Sequence, residues 1–194
     1  MAIYYGDGSN SSSGRIVQIV TNEILGTYER SWPSNGSGLI DMGTGFETSF
    51  TPKDRSNHFL IDCNLMVGGI MQQNVGFAFR ENSSGDFSYI KRQDGQQWAN
   101  TASGYWPTQN GWPGIQFSQG YGGSLGNSEL FDTCRFHART VLASTSGSGA
   151  VTWKLYYYGG ETSPLKINFM SSGNTSSYYN MPATSSITIT EIAV

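Results

Sequence analysis

The chain has 194 residues, of which 13% are charged, and its formal net charge is −3. This length suits one domain that buries its own core, and the charged fraction is about half of the roughly 25% usual in soluble domains. A slightly acidic chain without a run of Lys or Arg excludes a nucleic-acid-binding surface, because nothing would neutralise the phosphates. We also expect no signal peptide and no membrane insertion, since the sequence has neither a basic leader nor an apolar run of about 18 residues.

The first residues, MAIYYGDGSNSSSG, form a polar segment rich in Gly and Ser. We predict that residues 1–14 are a flexible N-terminal arm and that residues 15–194 form a single domain. An arm that does not pack on its own domain often joins the subunits of large assemblies. Its candidate contact residues are Ile3, Tyr4, Tyr5 and Arg15.

Beyond the arm, apolar and polar residues alternate with a period of two, which predicts strands, and helical periodicity is nearly absent. The predicted strands are residues 15–21, 39–42, 45–51, 58–67, 74–80, 87–92, 130–143, 151–158, 165–169 and 187–192. Clusters of Gly, Ser, Asn and Pro separate them, which indicates an all-β antiparallel β-sandwich or jelly roll of about ten strands. The stretches with some helical tendency are residues 22–29 and the residues around Leu130.

Two strand predictions concern neighbours in the sheets. Residues 58–67 have an inward apolar row and a partly apolar opposite face, so this strand should be central in its sheet. Residues 74–80 should pair with residues 87–92 through the turn at 82–86.

The first strand, residues 15–21, has apolar side chains on both faces. One face would carry Ile16, Gln18 and Val20, and the other Val17 and Ile19. We therefore expect this strand to be covered on both sides, one of them by a neighbouring subunit.

The two cysteines, Cys63 and Cys134, share the inward side of their predicted strands. We interpret them as buried thiols of a chain folded in a reducing cytoplasm. Whether they are paired stays open, because a disulfide requires Cα atoms within about 7 Å.

Residues 94–114 form a long segment with little strand pattern and many aromatic side chains. The candidate contact residues in it are Trp98, Tyr105, Trp106 and Trp112. Three interpretations are open: contact with a glycan or receptor, contact with another subunit, or a loop whose rings fill a small core of their own.

The sequence offers no recognisable catalytic, cofactor or metal motif. His58 and His137 are the only histidines, the G-x-S-x-G elbow is missing, and the acidic residues have no diagnostic spacing. Cys63 and Cys134 are too far apart for a zinc motif, and the Gly-rich pieces lack the Lys-Ser/Thr of a phosphate loop. We expect no enzymatic activity and no cofactor.

Several short motifs occur in a fixed order. The chain begins with MAIYY and GRIVQIV, continues with IDMGTGF, FTP and NHFLI, and ends with SITITEIA. Together they resemble small virion structural proteins of tailed bacteriophages, especially those of marine cyanobacteria, although His58-Phe59 departs from their usual Lys-Ile. The resemblance covers the N-terminal third and the last ten residues. It implies a β-sandwich, often trimeric, in tail fibres, tail appendages or head decorations, without catalytic residues.

The resulting prediction is a non-enzymatic virion structural protein, made in the host cytoplasm and located in the virion. It would be a tail fibre, appendage or knob that is attached to the particle through its arm. We expect it to form a homotrimer and to contact other virion proteins. Host-surface polysaccharide is a further candidate partner. The first alternative is a capsid decoration or cement protein. The second is a carbohydrate-binding module that uses the aromatic segment, and a glycan-degrading enzyme is the third hypothesis.

Overall fold

The computed structural model describes residues 14–30, 40–69, 75–91, 114–117, 130–159, 165–168 and 184–194. Within these ranges the chain forms twelve strands and a 3-10 turn at Thr44–Phe46. The strands are β1 (Ile16–Ile24), β2 (Tyr28–Arg30), β3 (Ile40–Asp41), β4 (Glu47–Phe50), β5 (His58–Gly69), β6 (Val75–Glu81), β7 (Ser88–Tyr89), β8 (Gly114–Phe117), β9 (Leu130–Thr140), β10 (Val151–Gly159), β11 (Leu165–Ile167) and β12 (Ser185–Ile192). The prediction of an all-β fold is confirmed.

Sheet A has β5 at its centre, between β12 on one side and β9 on the other. Strand β1 pairs with β12 and forms an edge of the sheet. The short strands β11 and β2 extend this arrangement, since β11 pairs with both β5 and β2. All of these pairs are antiparallel, and the predicted central position of residues 58–67 is confirmed.

Sheet B is built around the antiparallel pair of β10 and β6. Strands β3 and β4 both pair with β10, and β7 and β8 both pair with β6. The predicted pairing of residues 74–80 with residues 87–92 occurs between β6 and β7, and Gly85 in the turn has φ 102°.

The core lies between the inward rows of the two sheets. Trp153 of sheet B is fully buried, with ring centroids 4.8 Å from Phe50 and 5.2 Å from Phe59 of sheet A. Phe79 of sheet B stacks on Phe136 of sheet A at 5.4 Å. Burial of these rings removes a large apolar area from water, which is the main source of stability.

One side of the sandwich is held by amide side chains. Asn22 of β1 donates from Nδ2 to the carbonyl oxygens of Gly45 and Glu47, both at 3.0 Å. Gln18 donates from Nε2 to the carbonyl oxygen of Thr51 at 3.0 Å. The edge strand of sheet A is therefore tied to the β4 region of sheet B.

Several predicted boundaries are corrected. Residues 22–29 contain the end of β1 and the start of β2, and Leu130 is the first residue of β9. The expectation of helix at these two places is therefore wrong. The strand predicted at 45–51 begins later because the 3-10 turn precedes it. Strands β2 and β8 are additional, and β8 begins at Gly114, inside the segment predicted as a loop.

The predicted facing of β1 is wrong at its start. A register shift between Ile16 and Gln18 places Ile16 opposite Ile192, on the outward face with Ile19. Ile16 and Ile19 are 43% and 45% exposed, so this face of β1 is open in the single chain. Cover by a neighbouring subunit stays a prediction.

Cys63 and Cys134 are both buried and form no disulfide. Burial raises the pKa of the Cys63 thiol well above its ordinary value, and Cys134 and Asp62 act in the same direction. The thiol is therefore protonated at neutral pH and is a part of the core.

Candidate functional site

One end of the sandwich gathers the loops at residues 51–57, 82–86 and 141–150, and we call it the anchored end. Arg55 joins the three loops through its guanidinium group. It donates to the carbonyl oxygens of Ser83 at 3.2 Å, Ser146 at 2.6 Å and Gly149 at 3.0 Å.

Buried carboxylates fix the same loops from inside. Glu191 accepts hydrogen bonds from Gln18 Nε2 at 2.6 Å, Lys53 N at 3.0 Å, Asp54 N at 2.9 Å and Asn57 Nδ2 at 2.7 Å. Glu81 accepts hydrogen bonds from Ser83 N, from Ser83 Oγ at 2.9 Å and from Ala143 N at 2.7 Å. Both glutamates are 0% exposed. Since their oxygens are occupied by these donors and closed off from solvent, they hold the fold and are not available to a substrate.

The outer side of sheet B carries a different arrangement of charged and aromatic side chains, which we call the sheet B face. Its members are Asp41, Glu47, Arg80, Phe87, Tyr89, Lys154 and Tyr156. Strand pairing sets Glu47, Lys154, Arg80 and Tyr89 side by side in one row across the sheet. The neighbouring row sets Tyr156 between Asp41 and Ala78.

Arg80 is the central residue of the sheet B face. Its guanidinium carbon lies 4.5 Å from the ring centroid of Tyr89 and 5.2 Å from that of Tyr156. Its Nε atom is buried and has no hydrogen-bond partner, and among the described residues no carboxylate pairs with it. Cation–π contacts with the two rings therefore fix the plane of a half-buried positive charge.

Lys154, next to Arg80, is neutralised within the chain. Its Nζ lies 2.6 Å from Glu47 Oε1 and 3.0 Å from Asp41 Oδ2. Glu47, and then Asp41, raise the pKa of Lys154 above its ordinary value, so the ammonium group stays charged. The same Nζ lies 4.9 Å from the ring centroid of Phe87.

Strands β7 and β8, which precede and follow residues 92–113 in the chain, both pair with β6 of sheet B. Strand β7 pairs with β6 at Arg80 and Glu81, and β8 pairs with the same edge of β6 from Ala78 to Val75. Before residues 92–113 Lys91 bridges Val141, and after them Gly114 pairs with Ala78.

The outer side of sheet A has a column of basic residues on β9. Arg135 and His137 lie within 4.0 Å of the Asp62 carboxylate, at 4.0 and 3.8 Å. Arg139 lies 2.7 Å from His58 Nδ1. Because a guanidinium group only donates, this contact requires an unprotonated Nδ1, and burial and then the Arg139 charge lower the pKa of His58.

Among the residues that the structure describes, neither sheet face forms a recognisable catalytic centre. In the ranges that the structure describes, no three His, Cys, Asp or Glu side chains lie close enough to hold a metal ion. None of the described helical residues forms a segment long and apolar enough to cross a bilayer.

The residues singled out from the sequence fall mostly outside the described ranges. Ile3, Tyr4 and Tyr5 precede residue 14, and Trp98, Tyr105, Trp106 and Trp112 belong to residues 92–113. Arg15 is described: it is exposed, and its carbonyl oxygen accepts a hydrogen bond from Ala193 N at 2.8 Å.

Sequence reasoning missed the sheet B face. The alternation of inward residues already places Arg80 and Tyr156 outward. Their meeting with Tyr89 depends on the register of three strands, which the alternation does not give.

No known protein family and no curated protein matches the sequence. Among solved structures, the chain is similar to the infectious bursal disease virus VP2 subviral particle, with 12% identity and a TM-score of 0.38, covering 100% of this chain and 42% of that one. It is also similar to the structure of the infectious bursal disease virus Gx strain, with 10% identity and a TM-score of 0.37, covering 100% of this chain and 41% of that one. The chain thus spans less than half the length of these proteins, and similarity of this degree assigns it no function.

Proposed function

We propose that this chain is a non-enzymatic structural protein of a virus particle, a surface component attached through its N-terminal arm. The arm would hold the protein on the particle while the sandwich faces outward. A tail fibre, appendage or knob is the first interpretation, and a capsid decoration protein is the alternative.

The observation that carries this proposal is the junction between the arm and the anchored end. Gly14 N donates to Ala193 O at 2.6 Å, and Ala193 N donates to Arg15 O at 2.8 Å. Strand β1 then pairs with β12 through Ile24, and Gln18 and Asn22 tie it to sheet B. A load on the arm would therefore be carried by both sheets.

Three of the four most exposed apolar residues among the described ones lie close to this junction, and Leu25 lies beyond the other end of β1. The largest exposures of apolar side chains among the described residues are at Ile16, Ile19, Leu25 and Val194. Ile16 and Val194 lie at the ends of the hydrogen-bonded pair of chain termini. Contact with another subunit at this end, including the predicted homotrimer, would cover Ile16, Ile19 and Val194.

Deletion of residues 1–13 tests the attachment. Because Gly14 and its bond to Ala193 remain, we expect the trimmed protein to unfold at the same temperature as the full chain. We expect it to be missing from purified particles, measured as copies per particle by quantitative mass spectrometry. A triple variant with Ile3, Tyr4 and Tyr5 each replaced by Ser keeps the arm's length and should show the same loss.

Normal incorporation of the trimmed protein would refute the attachment role. The copy number of the full chain separates the two particle positions, because a head decoration is present in many more copies than a tail appendage. Sedimentation of the purified full chain tests the homotrimer.

A carbohydrate-binding module is a second candidate function, and the sheet B face favours it. Tyr89 and Arg80, both partly exposed, combine a ring with a directional donor group, which is a common composition of sugar-binding surfaces, while the ring of Tyr156 is buried beside them. This role is compatible with a surface position on a particle, and binding to purified polysaccharide tests it independently of assembly.

A further inference from the structure

The outer side of sheet A is exposed on β1 and β9, the two strands that end its rows among the described residues. The exposed side chains there are Ile19, Thr21, Glu23, Arg135, His137 and Arg139. Strand pairing aligns them in three rows that cross β1, β12, β5 and β9 in turn. The first row is Glu23, Ser186, Asn64 and Arg135, the second is Thr21, Thr188, Asp62 and His137, and the third is Ile19, Thr190, Leu60 and Arg139.

The two ends of the first row carry opposite charges. Glu23 is exposed on β1, and the Arg135 side chain on β9 is 75% exposed. The Nε atom of Arg135 lies 4.0 Å from Asp62 Oδ1, which leaves most of its guanidinium group open to water. Since β1 and β9 are about three strand spacings apart, or roughly 14 Å, Arg135 and Glu23 do not meet within one chain.

The same face changes from polar to apolar along the strands. The first two rows contain charged groups, amides and hydroxyl groups. The third row contains Ile19 and Leu60, with Arg139 at its β9 end, and the next row begins with Ile16 opposite Ile192. Ile16 and Ile19 are 43% and 45% exposed. The face therefore has a polar end and an end with exposed apolar side chains.

These two patterns are complementary to a second copy of the chain. Two sheets that pack face to face keep their strand directions within about 30° of each other. A rotation axis parallel to the strands leaves each row at the same height in both copies and turns β9 of one copy toward β1 of the next. The apolar end then meets the apolar end, and Arg135 lies at the height of Glu23 of the second copy.

The area of the face limits the strength of such an association. Four strands about 4.8 Å apart, with about eight residues of about 3.4 Å each, cover roughly 500 Å². A stable interface takes about 800 Å² from each partner. The face alone therefore supports weak association that depends on concentration, and attachment of several copies to one particle would strengthen it.

We propose that the outer side of sheet A is a contact surface between copies of this chain, with Arg135 of one copy paired with Glu23 of the next. Ile16 and Ile19 are covered at the apolar end of the same contact. This inference rests on the proposed function, since it names the surface through which the predicted homotrimer would form.

Sedimentation of the purified full chain between about 1 µM and about 200 µM, a range that brackets weak association, tests the proposal. We expect the average mass to rise above that of one chain at the upper end of this range. Glu23→Arg and Arg135→Glu should each weaken association by about tenfold or more, because each change places like charges at the contact. The double variant exchanges the two charges and should recover most of the association.

Asp86→Arg is the matched control for Glu23→Arg. Asp86 is exposed in the turn between β6 and β7 of sheet B, so the same reversal of charge there should leave association unchanged. Ile19→Ser tests the apolar end and should weaken association without a change of charge. At about 1 µM, where the chain is a single copy, Glu23→Arg and Ile19→Ser should unfold close to the temperature of the unmodified chain.

A full chain that stays a single copy at every concentration would overturn the proposal. So would a double variant that associates as weakly as the single variants, or a loss for Asp86→Arg as large as that for Glu23→Arg. A defined dimer would refute the homotrimer and leave the contact standing. A chain that associates through this face but is missing from particles would refute the proposed function alone.

Discussion

At the anchored end the charged side chains meet hydrogen-bond partners, whereas the partners of Arg80 within the described ranges are two aromatic rings. Glu191 is fully buried and accepts bonds from four donors, and Arg55 reaches three carbonyl oxygens. Arg80 belongs to the same sandwich, and its guanidinium carbon lies 4.5 Å and 5.2 Å from the ring centroids of Tyr89 and Tyr156.

The difference separates charges that are fixed by hydrogen bonds from a charge that is held by aromatic rings. A buried charge with a full set of partners is costly to remove, because its partners are then left unsatisfied. A charge held by cation–π contacts gains about 0.5–1 kcal/mol at an exposed site and about 2 kcal/mol when it is desolvated. We therefore expect substitutions at the anchored end to lower the free energy of unfolding more than substitution of Arg80 does.

Glu191→Gln should have the largest effect on stability. The amide keeps the shape of the carboxylate, but its NH₂ group faces donors whichever way it is placed, since each oxygen of Glu191 accepts two bonds. We expect the free energy of unfolding to fall on the order of 3 kcal/mol, measured by chemical denaturation.

Glu23→Gln is the matched control for this substitution. Glu23 is exposed on β1, so its replacement should change the free energy of unfolding by less than about 0.5 kcal/mol. An equally small change for Glu191→Gln would show that the buried carboxylate is not essential to the anchored end.

Substitution of Asn168 tests a second fully partnered polar group, at the junction of β1, β2 and β11. Asn168 has φ 64° and donates from Nδ2 to Ile24 O at 2.6 Å and Gly26 O at 2.9 Å. Its Oδ1 accepts a hydrogen bond from Ser185 Oγ at 2.6 Å. Both Asn168→Ala and Asn168→Gly lose these bonds, and we expect each to cost on the order of 2 kcal/mol.

The two Asn168 variants should differ in their free energy of unfolding because position 168 has a positive φ. Only Gly adopts a positive φ without strain, so Asn168→Ala should be less stable than Asn168→Gly by about 1 kcal/mol in denaturant unfolding. Alanine ordinarily stabilises a chain relative to glycine. If Ala is the more stable replacement, the left-handed conformation at this position does not matter.

The sequence is sufficient to predict the sandwich and its central strands. In β5, β9 and β10 the inward rows are almost purely apolar, so the alternation identifies both the strand and its buried face. It fails for β2 and β8, whose three and four residues are too short to show a period. It fails at Ile16 because a register shift moves this side chain to the outward face of β1, and nothing in the sequence indicates the shift.

The polar sites could not be predicted for a related reason. The inward position of Glu191 follows from the alternation in β12, but its donors come from positions 18, 53, 54 and 57, which only the fold brings together. Arg80, Tyr89 and Tyr156 are ordinary surface residues in the sequence, and the register of β6, β7 and β10 makes them neighbours. Periodicity gives the face of a residue, and pairing gives its partners.

The smallest predicted effect on stability concerns His58, which contacts Arg139 on the outer side of sheet A. Burial, and then Arg139, lower the pKa of His58 from its ordinary value of 6.5. Between the lowered pKa and 6.5 the unfolded chain binds more protons than the folded chain, so stability rises with pH in this window and is lost as pH falls below about 6.5. Because the side chain is partly exposed, we expect only a few tenths of a kcal/mol.

Denaturant unfolding of the full chain and of His58→Gln between pH 5 and 7 measures this contribution. The glutamine variant should lose less stability on acidification than the full chain, since it has no proton to bind at this position. Arg139→Gln keeps the burial of His58 and removes the neighbouring charge, so it should reduce the pH dependence without abolishing it. If all three proteins respond to pH equally, the contact between Arg139 and His58 does not affect stability. The stability of this part of sheet A would then depend on its strand pairing and not on this side-chain contact.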